Sequence, residues 1–299
     1  INVIDAPGFF DFYGEVAAAM ALADSALIVV GAVSGPVVGA EKAMAMCEKQ
    51  HKARMMVINQ MDRENANFEK VMAAINEKFG PSVVPIQLPI IEGGAFKGYV
   101  DIIHMTAKLF DGKGEKEVDI PAALADEAQS LYEKLTEAAA ESDEELMEKY
   151  FEEGELSRDE ILRGLSQGVC EGIVTPVCCT AATANIGVAT LLDNMVHYLP
   201  AADQVKARPA VDAKTGDPIE VKQDGKFAAQ VMKTVIDQFG KYSIIKVFSG
   251  SVDVNTQLYN ANAEKAEKPT APVLLRGKKS ENIGKLNAGD IGAIPKLQY

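Results

Sequence analysis

The sequence predicts an α/β domain on a parallel sheet, interrupted by an α+β insert and followed by an all-β, barrel-like domain. Three observations carry this expectation. Strand-like apolar runs alternate with helical stretches over the first 60 residues, the trace that a parallel sheet with crossover helices leaves in a chain. A strongly acidic stretch with helical periodicity then breaks the rhythm. After Pro200, turn-forming pairs recur about every ten residues, the spacing of short antiparallel strands.

Taken in order, Ile1 to Ile4, Ala26 to Ala32 and Arg54 to Asn59 are short apolar runs of strand length, with helical stretches at Glu15 to Ala23 and Glu41 to His51 between them. A helix is expected from Asn67 to Phe79 and a strand from Val83 to Leu88. Glycines 93, 94, 98 and 112 then punctuate two strand-like runs, Tyr99 to His104 and Lys108 to Phe110. The helical pattern that follows closes with Ser157 to Gly168, so residues 89–170 read as the insert. The parallel sheet resumes at Thr175 to Thr180, and a helix from Val188 to Tyr198 ends before Pro200. Strands are expected at Ala228 to Val235, Tyr242 to Ser249 and Val273 to Arg276. Turns fall at Thr215-Gly216, Asp224-Gly225, Phe239-Gly240, Ser249-Gly250, Gly277 and Gly289-Asp290. The expected domains are residues 1–200 and 206–299.

Composition excludes several classes. With 299 residues, 47% hydrophobic and 24% charged, the chain can bury a core without disulfides or metals. Its longest apolar runs, such as Ala26 to Val33, are far shorter than the roughly 20 residues of a membrane helix, so no membrane partner is expected. Cys47, Cys170, Cys178 and Cys179 lack CxxC spacing, which suits a reducing cytoplasm. Cys178 and Cys179 are adjacent on a strand and face opposite ways, so they read as core. His51, His104 and His197 have no nucleophile or acid at catalytic spacing. The methionines at 44, 46, 55, 56 and 61 read as core. The start, Ile1-Asn2-Val3-Ile4, resembles a strand entered in mid-domain, and upstream sequence is expected.

The net charge of −13 is concentrated. Glu115 to Glu160 holds 17 acids against four bases, and the other residues balance. Leu131, Leu135, Ala138, Ala139, Leu146, Tyr150 and Phe151 give the window helical periodicity. It reads as a solvated set of amphipathic helices or as a docking surface for a basic partner, and its sign disfavours direct binding to duplex phosphates. Lys206, Arg208, Lys214 and Lys222 form a weaker, opposite signal: a solvated face, or a contact with RNA.

Three short motifs follow the predicted parallel strands. Asp5-Ala6-Pro7-Gly8 is a good turn. It also suits an acid that holds Mg²⁺ through water, with a glycine whose N–H approaches a γ-phosphate. In Asn59-Gln60-Met61-Asp62, an acid at a strand end can accept two hydrogen bonds from guanine, while the asparagine braces the loop. Thr180-Ala181-Ala182 supplies small residues that let backbone N–H groups face a ligand. Each is weak alone. Together they lie at the carboxyl ends of successive strands, where parallel sheets bind ligands.

This constellation resembles the elongation factor G family. Asp5-Ala6-Pro7-Gly8-Phe9-Phe10-Asp11-Phe12 resembles its second switch. Asn59-Gln60-Met61-Asp62-Arg63 with Ala66-Asn67-Phe68 resembles its guanine-specificity stretch. Glu144 to Tyr150 resembles its inserted subdomain. Asn185, Gly187-Val188, Leu191-Leu192-Asp193 and Tyr198-Leu199-Pro200 resemble the end of its GTPase domain. The segment Pro36 to Lys42 points to the elongation-factor-G-like branch. The resemblance implies a P-loop-type GTPase sheet lacking its N-terminal part, then a translation-factor barrel incomplete at its C-terminus. It implies GTP or GDP bound by Asp5, Ala6, Pro7, Gly8, Phe9, Asn59, Gln60, Met61, Asp62, Thr180, Ala181 and Ala182. It further implies Mg²⁺ held by Asp5 through water. The partner would be the ribosome, through rRNA and stalk proteins, with a cytoplasmic monomer off it.

Departures qualify the expectation. No GxxxxGK[ST] loop occurs, and that loop and the first switch lie before Ile1 in the family. Phe9 stands where the family has a water-positioning histidine, and Gln60 where it has a lysine beside the base. Three readings follow: a GTP-hydrolysing factor that switches conformation on the ribosome, a ribosome-associated GTP-binding or protection module with little hydrolysis, or a chain that by itself binds no nucleotide.

Overall fold

The computed structural model describes residues 1–205, 209–212, 215–237, 240–277 and 279–299. Lys206, Arg208, Lys214 and Phe239 lie outside the described residues; Lys222 is exposed. Two compact units form, Ile1–Ala23 with Ala201–Tyr299, and Asp24–Pro200.

The first unit begins with an irregular stretch leading into α1 (Tyr13–Leu22). Ile1 to Ile4 is not a strand, contrary to expectation. It has a strand's residue types but no ladder partner among the described residues, and Ile1 and Val3 are exposed.

The second unit is an α/β fold. Its elements run β1 (Ser25–Gly31), α2 (Val38–Lys49), β2 (Ala53–Asn59), α3 (Phe68–Phe79), β3 (Val83–Pro85), β4 (Gln87–Glu92), β5 (Ala95–Asp101), β6 (Thr106–Phe110), β7 (Glu115–Val118), α4 (Ala125–Ala140), α5 (Glu144–Glu153), α6 (Arg158–Glu171), β8 (Thr175–Cys179) and α7 (Val188–Tyr198). One sheet is parallel, in the order β1-β2-β8-β3. Strands β2 and β8 are central, and all of β8 is buried, which accounts for its lack of polar alternation. Cys178 and Cys179 are core residues, and burial pushes the Cys178 thiol up to about 12. Met44, Met55, Met56 and Met61 are also buried.

Helix α3 shows why the period reads clearly. Phe68, Val71, Met72 and Ile75 bury one stripe. Asn67 Oδ1 accepts from Lys70 N at 2.8 Å and caps the start, and Gly80 ends the helix at φ 83°.

The second sheet is antiparallel, in the order β4-β5-β6-β7. The single strand expected from Val83 to Leu88 is two strands in two sheets. Ile86 is the changeover: its N–H donates to Val177 O in the parallel sheet, and its carbonyl accepts from Ile102 N. Gln87 then supplies by side chain what the departing strand no longer supplies by backbone, its Oε1 accepting from Cys179 N at 3.0 Å. The second sheet therefore starts at Gln87.

The acidic window is helical from α4 onward, but its first residues form β7. Pairing with β6 outweighs their charge pattern. Helix α4 packs on α6, where a Cβ at Gly164 would lie 2.5 Å from Ala139 O. Helix α6 starts with a capping box between Ser157 and Glu160. Phe151 is 80% exposed, contrary to its expected place on the apolar stripe. Five residues after the buried Leu146, it is rotated about 140° from it.

The rest of the first unit is all β: β9 (Pro209–Val211), β10 (Pro218–Glu220), β11 (Ala228–Asp237), β12 (Gly240–Ser249), β13 (Ser251–Asp253), β14 (Leu258–Asn260), β15 (Lys265–Glu267), β16 (Val273–Arg276), β17 (Lys279–Asn282), β18 (Lys285–Asn287) and β19 (Ile291–Pro295). An antiparallel sheet runs β11-β12-β19-β16-β17, with three two-stranded ribbons. Its core gathers Ile245, Val247, Val252, Leu258, Leu286, Ile294 and Leu297, with Phe227 packed against them. Helix α1 docks on this sheet: Glu15 pairs with Lys233 at 2.7 Å, and the buried Lys246 donates to Leu22 O at 3.0 Å, at the helix's negative end.

Candidate functional site

The carboxyl ends of β1, β2 and β8 are neighbours in the parallel sheet, and their loops interlock. Asn59, the last residue of β2, directs Oδ1 to two donors in the loop after β8: Thr180 Oγ1 at 3.1 Å and Ala182 N at 3.0 Å. The backbone adds further ties. Met61 N donates to Thr180 O at 3.1 Å, Thr180 N to Ile58 O at 2.9 Å, Ala32 N to Asn59 O at 2.9 Å and Asn67 N to Ala32 O at 3.0 Å. The side-chain amide of Asn59 thus holds together two loops that are 121 residues apart in sequence.

Gln60 takes the left-handed conformation, φ 67°, and its side chain is exposed. Met61 turns inward and is buried, which anchors the loop. Asp62 turns outward, and its Oδ2 accepts from Thr183 Oγ1 at 3.4 Å. Gly31 lies beneath, where a Cβ would meet Ser34 Oγ at 2.6 Å.

The loop after β8 folds back on itself. Ala181 N donates to Ile186 O at 3.0 Å and Ile186 N returns to Ala181 O at 3.2 Å, around Asn185 and Gly187 in left-handed conformations. This corrects one expectation: the N–H groups of Ala181 and Ala182 donate inside the loops, to Ile186 and Asn59. Ala181 and Ala182 contribute small side chains and a fixed backbone path.

The structure therefore brings together Asn59, Gln60, Met61, Asp62, Thr180, Ala181 and Ala182. Asp5, Ala6, Pro7, Gly8 and Phe9 belong to the other compact unit. They form an irregular run before a short 3-10 turn at Phe10–Phe12; Asp5 is exposed, and Phe9 is 76% exposed. Thr183 was missed by sequence reasoning. Its position directly after Thr180-Ala181-Ala182 was the one available signal, and its hydroxyl matters through a residue on another loop.

The remaining candidates are outside this cluster. His104 pairs with Asp101 Oδ2 at 3.0 Å on the surface, and His51 and His197 are exposed. Among the described residues no group of three or more His, Cys, Asp or Glu is placed to hold a metal, and no helix is long and apolar enough to cross a membrane.

Comparison with known proteins agrees with this geometry. The elongation factor Tu GTP binding domain family matches residues 1–201, and elongation factor G domain 2 matches residues 226–299. A crystal structure of a protein from Thermus thermophilus is similar, with a TM-score of 0.86 and 27% identity over 98% of this chain. This chain spans 42% of that protein's length. A parallel sheet with three interlocked strand-end loops, followed by the matched β domain, places the chain in one family: it belongs to the elongation factor G family of translational GTPases.

Proposed function

We propose that the whole protein binds GTP and GDP, uses Asp62 to read guanine, and hydrolyses GTP on the ribosome to drive a conformational switch. The observation that carries this reading is the Asn59 brace. It fixes the β2 and β8 loops against each other and leaves the exposed Asp62 carboxylate at their rim. The Asn59 Nδ2 group donates to no described residue. A free amide donor and an acceptor-only carboxylate on one rim complement a purine edge that presents an acceptor and two donors.

Asp5 would hold Mg²⁺ through water. Its single exposed carboxylate suits a cation that keeps most of its water and takes phosphate oxygens, unlike a closed protein cage. When bound, Mg²⁺ supplies Lewis-acid stabilisation of phosphate charge. Gly8 leaves its backbone open to close approach, since nothing lies within 4 Å of an added Cβ. Gln60 contributes no charge beside the base. By the family resemblance the partner would be the ribosome, through rRNA and stalk proteins, and the protein would be a cytoplasmic monomer off it.

One observation favours a second reading, a ribosome-associated GTP-binding or protection module with little hydrolysis. By the family resemblance Phe9 takes the place of a water-positioning histidine, and its ring offers neither donor nor acceptor. Titrating the whole protein with a fluorescent guanine nucleotide, with adenine nucleotide as competitor, tests the shared premise. Guanine-specific binding supports it, and equal competition by ATP overturns it. Hydrolysis stimulated by ribosomes then separates the two readings.

A further inference from the structure

The loop that ends in Gly187 is fastened at two ends. Asn59 holds its entry, as described above. Its exit is held by a residue of the insert. Glu115, the first residue of β7, directs Oε1 to Gly187 N at 3.2 Å and Oε2 to Thr190 Oγ1 at 2.8 Å and Tyr99 OH at 2.6 Å. The hydroxyl of Tyr99 also meets that of Thr190. Tyr99 is on β5 and fully buried, and Thr190 is in the first turn of α7 and buried. One carboxylate thus joins two strands of the insert to the first turn of α7. Burial and the adjoining carboxylate push the Tyr99 phenol up, so it stays a donor.

These bonds are not those of a solvated acidic face. Glu115 begins the acidic window, yet all three of its partners lie outside that window. A carboxylate accepting from a backbone N–H ahead of a helix is favoured by the helix dipole and by charge-assisted bonding. The loop it closes also carries Thr183, whose hydroxyl meets Asp62. Displacement of Gly187 therefore reaches the base-reading carboxylate through about four residues of a tightly folded loop.

We propose that Glu115 is a positioning residue for the guanine site: through Gly187, Thr190 and Tyr99 it lets the insert set the geometry of the loop that supports Asp62. This rests on the guanine-binding reading above. The insert is then part of the specificity apparatus as well as a surface domain.

The test uses the whole protein and a fluorescent GDP analogue. Glu115→Ala should release it about tenfold faster, the effect of losing one charge-assisted hydrogen bond. It should also lower the preference for GTP over inosine triphosphate, which lacks the 2-amino group that Asp62 reads. Amide exchange at Gly187 should accelerate while exchange in β2 stays slow. Glu115→Gln should restore most of the affinity, since its amide oxygen can accept from Gly187 and its NH₂ can donate to the two hydroxyl oxygens. Tyr99→Phe, which keeps the buried ring, is the milder variant should Glu115→Ala fold poorly, and it should show the same loss of base preference to a smaller degree. Wild-type protein that binds GDP, with Glu115→Ala or Tyr99→Phe showing an unchanged base preference and release rate, overturns this proposal alone. A wild-type protein that binds no guanine nucleotide overturns it together with the reading it rests on.

Discussion

Asn59 Oδ1 accepts the backbone N–H of Ala182 from the end of the neighbouring strand, at 3.0 Å. The same oxygen takes the Thr180 hydroxyl. Asn59→Ala removes the acceptor for both donors and leaves the largely buried Thr180 hydroxyl unpaired. The expected loss is about 1–3 kcal/mol of stability, read as a lower urea midpoint with unchanged slope. GDP affinity of the whole protein should fall by more than the stability does, because the loops lose their mutual alignment.

Asp62→Asn should turn the whole protein from GTP toward xanthosine triphosphate. The carboxylate accepts only, whereas an amide also donates and so complements the changed base edge. Competition binding with both nucleotides checks this, and a mutant that keeps its preference for GTP sinks the assignment of Asp62. Its exposed side chain predicts little change in melting temperature.

Phe9→His should speed single-turnover GTP hydrolysis, since the native ring cannot orient water. A lost positioning group costs about 10²-fold in such reactions. The comparison belongs to the whole protein with and without ribosomes. Equal rates for native protein and Phe9→His under both conditions would show that the aromatic is no handicap.

Gly164→Ala should destabilise the insert by about 1–3 kcal/mol, the usual cost of overpacking. Its Cβ would lie 2.5 Å from the Ala139 carbonyl and 2.9 Å from Leu146 Cδ1. The carbonyl belongs to a helix backbone and cannot give way cheaply. Thermal unfolding monitored by circular dichroism reads this directly.

Acid should loosen the start of α6. Hydrogen bonds from Lys149 and then from the Ser157 side chain and backbone lower the Glu160 carboxyl from 4.5 to about 2. A group depressed on folding contributes stability that is complete above the unfolded value and lost as pH falls through the folded one. The contribution of Glu160 should therefore fade between about pH 4.5 and pH 2. Glu160→Gln should reduce that part of the pH dependence, measured by urea unfolding at pH 6, 4 and 3. An identical pH profile for the variant would refute the role of this carboxylate.

Local pattern was enough to read much of this protein. The helix from Val188 to Tyr198 and the strand from Val273 to Arg276 are where periodicity and turn residues put them. Their own side chains specify both period and ends, through the i, i+4, i+8 stripe of Thr190, Asn194 and Tyr198 in one and the flanking turn of the other. The NxxD stretch is legible for the same reason, because its Asn59 closes a strand that is apolar from Met55 to Ile58.

What the sequence by itself determined is the order of elements, the segregation of charge into one insert, and the strand-end motifs that carry the family resemblance. Each is a property of neighbours along the chain. Only the tertiary structure decided which strands pair, so Ile1 to Ile4 is no strand despite its residues, and Val83 to Leu88 divides between two sheets at Ile86. Only it separated Glu115 from the acidic surface and set it against Tyr99, Thr190 and Gly187, residues that lie 16 and more than 70 positions away. The physical reason is that a carboxylate's role depends on which donors surround it in space, and donors brought from other strands and helices leave no period in the sequence.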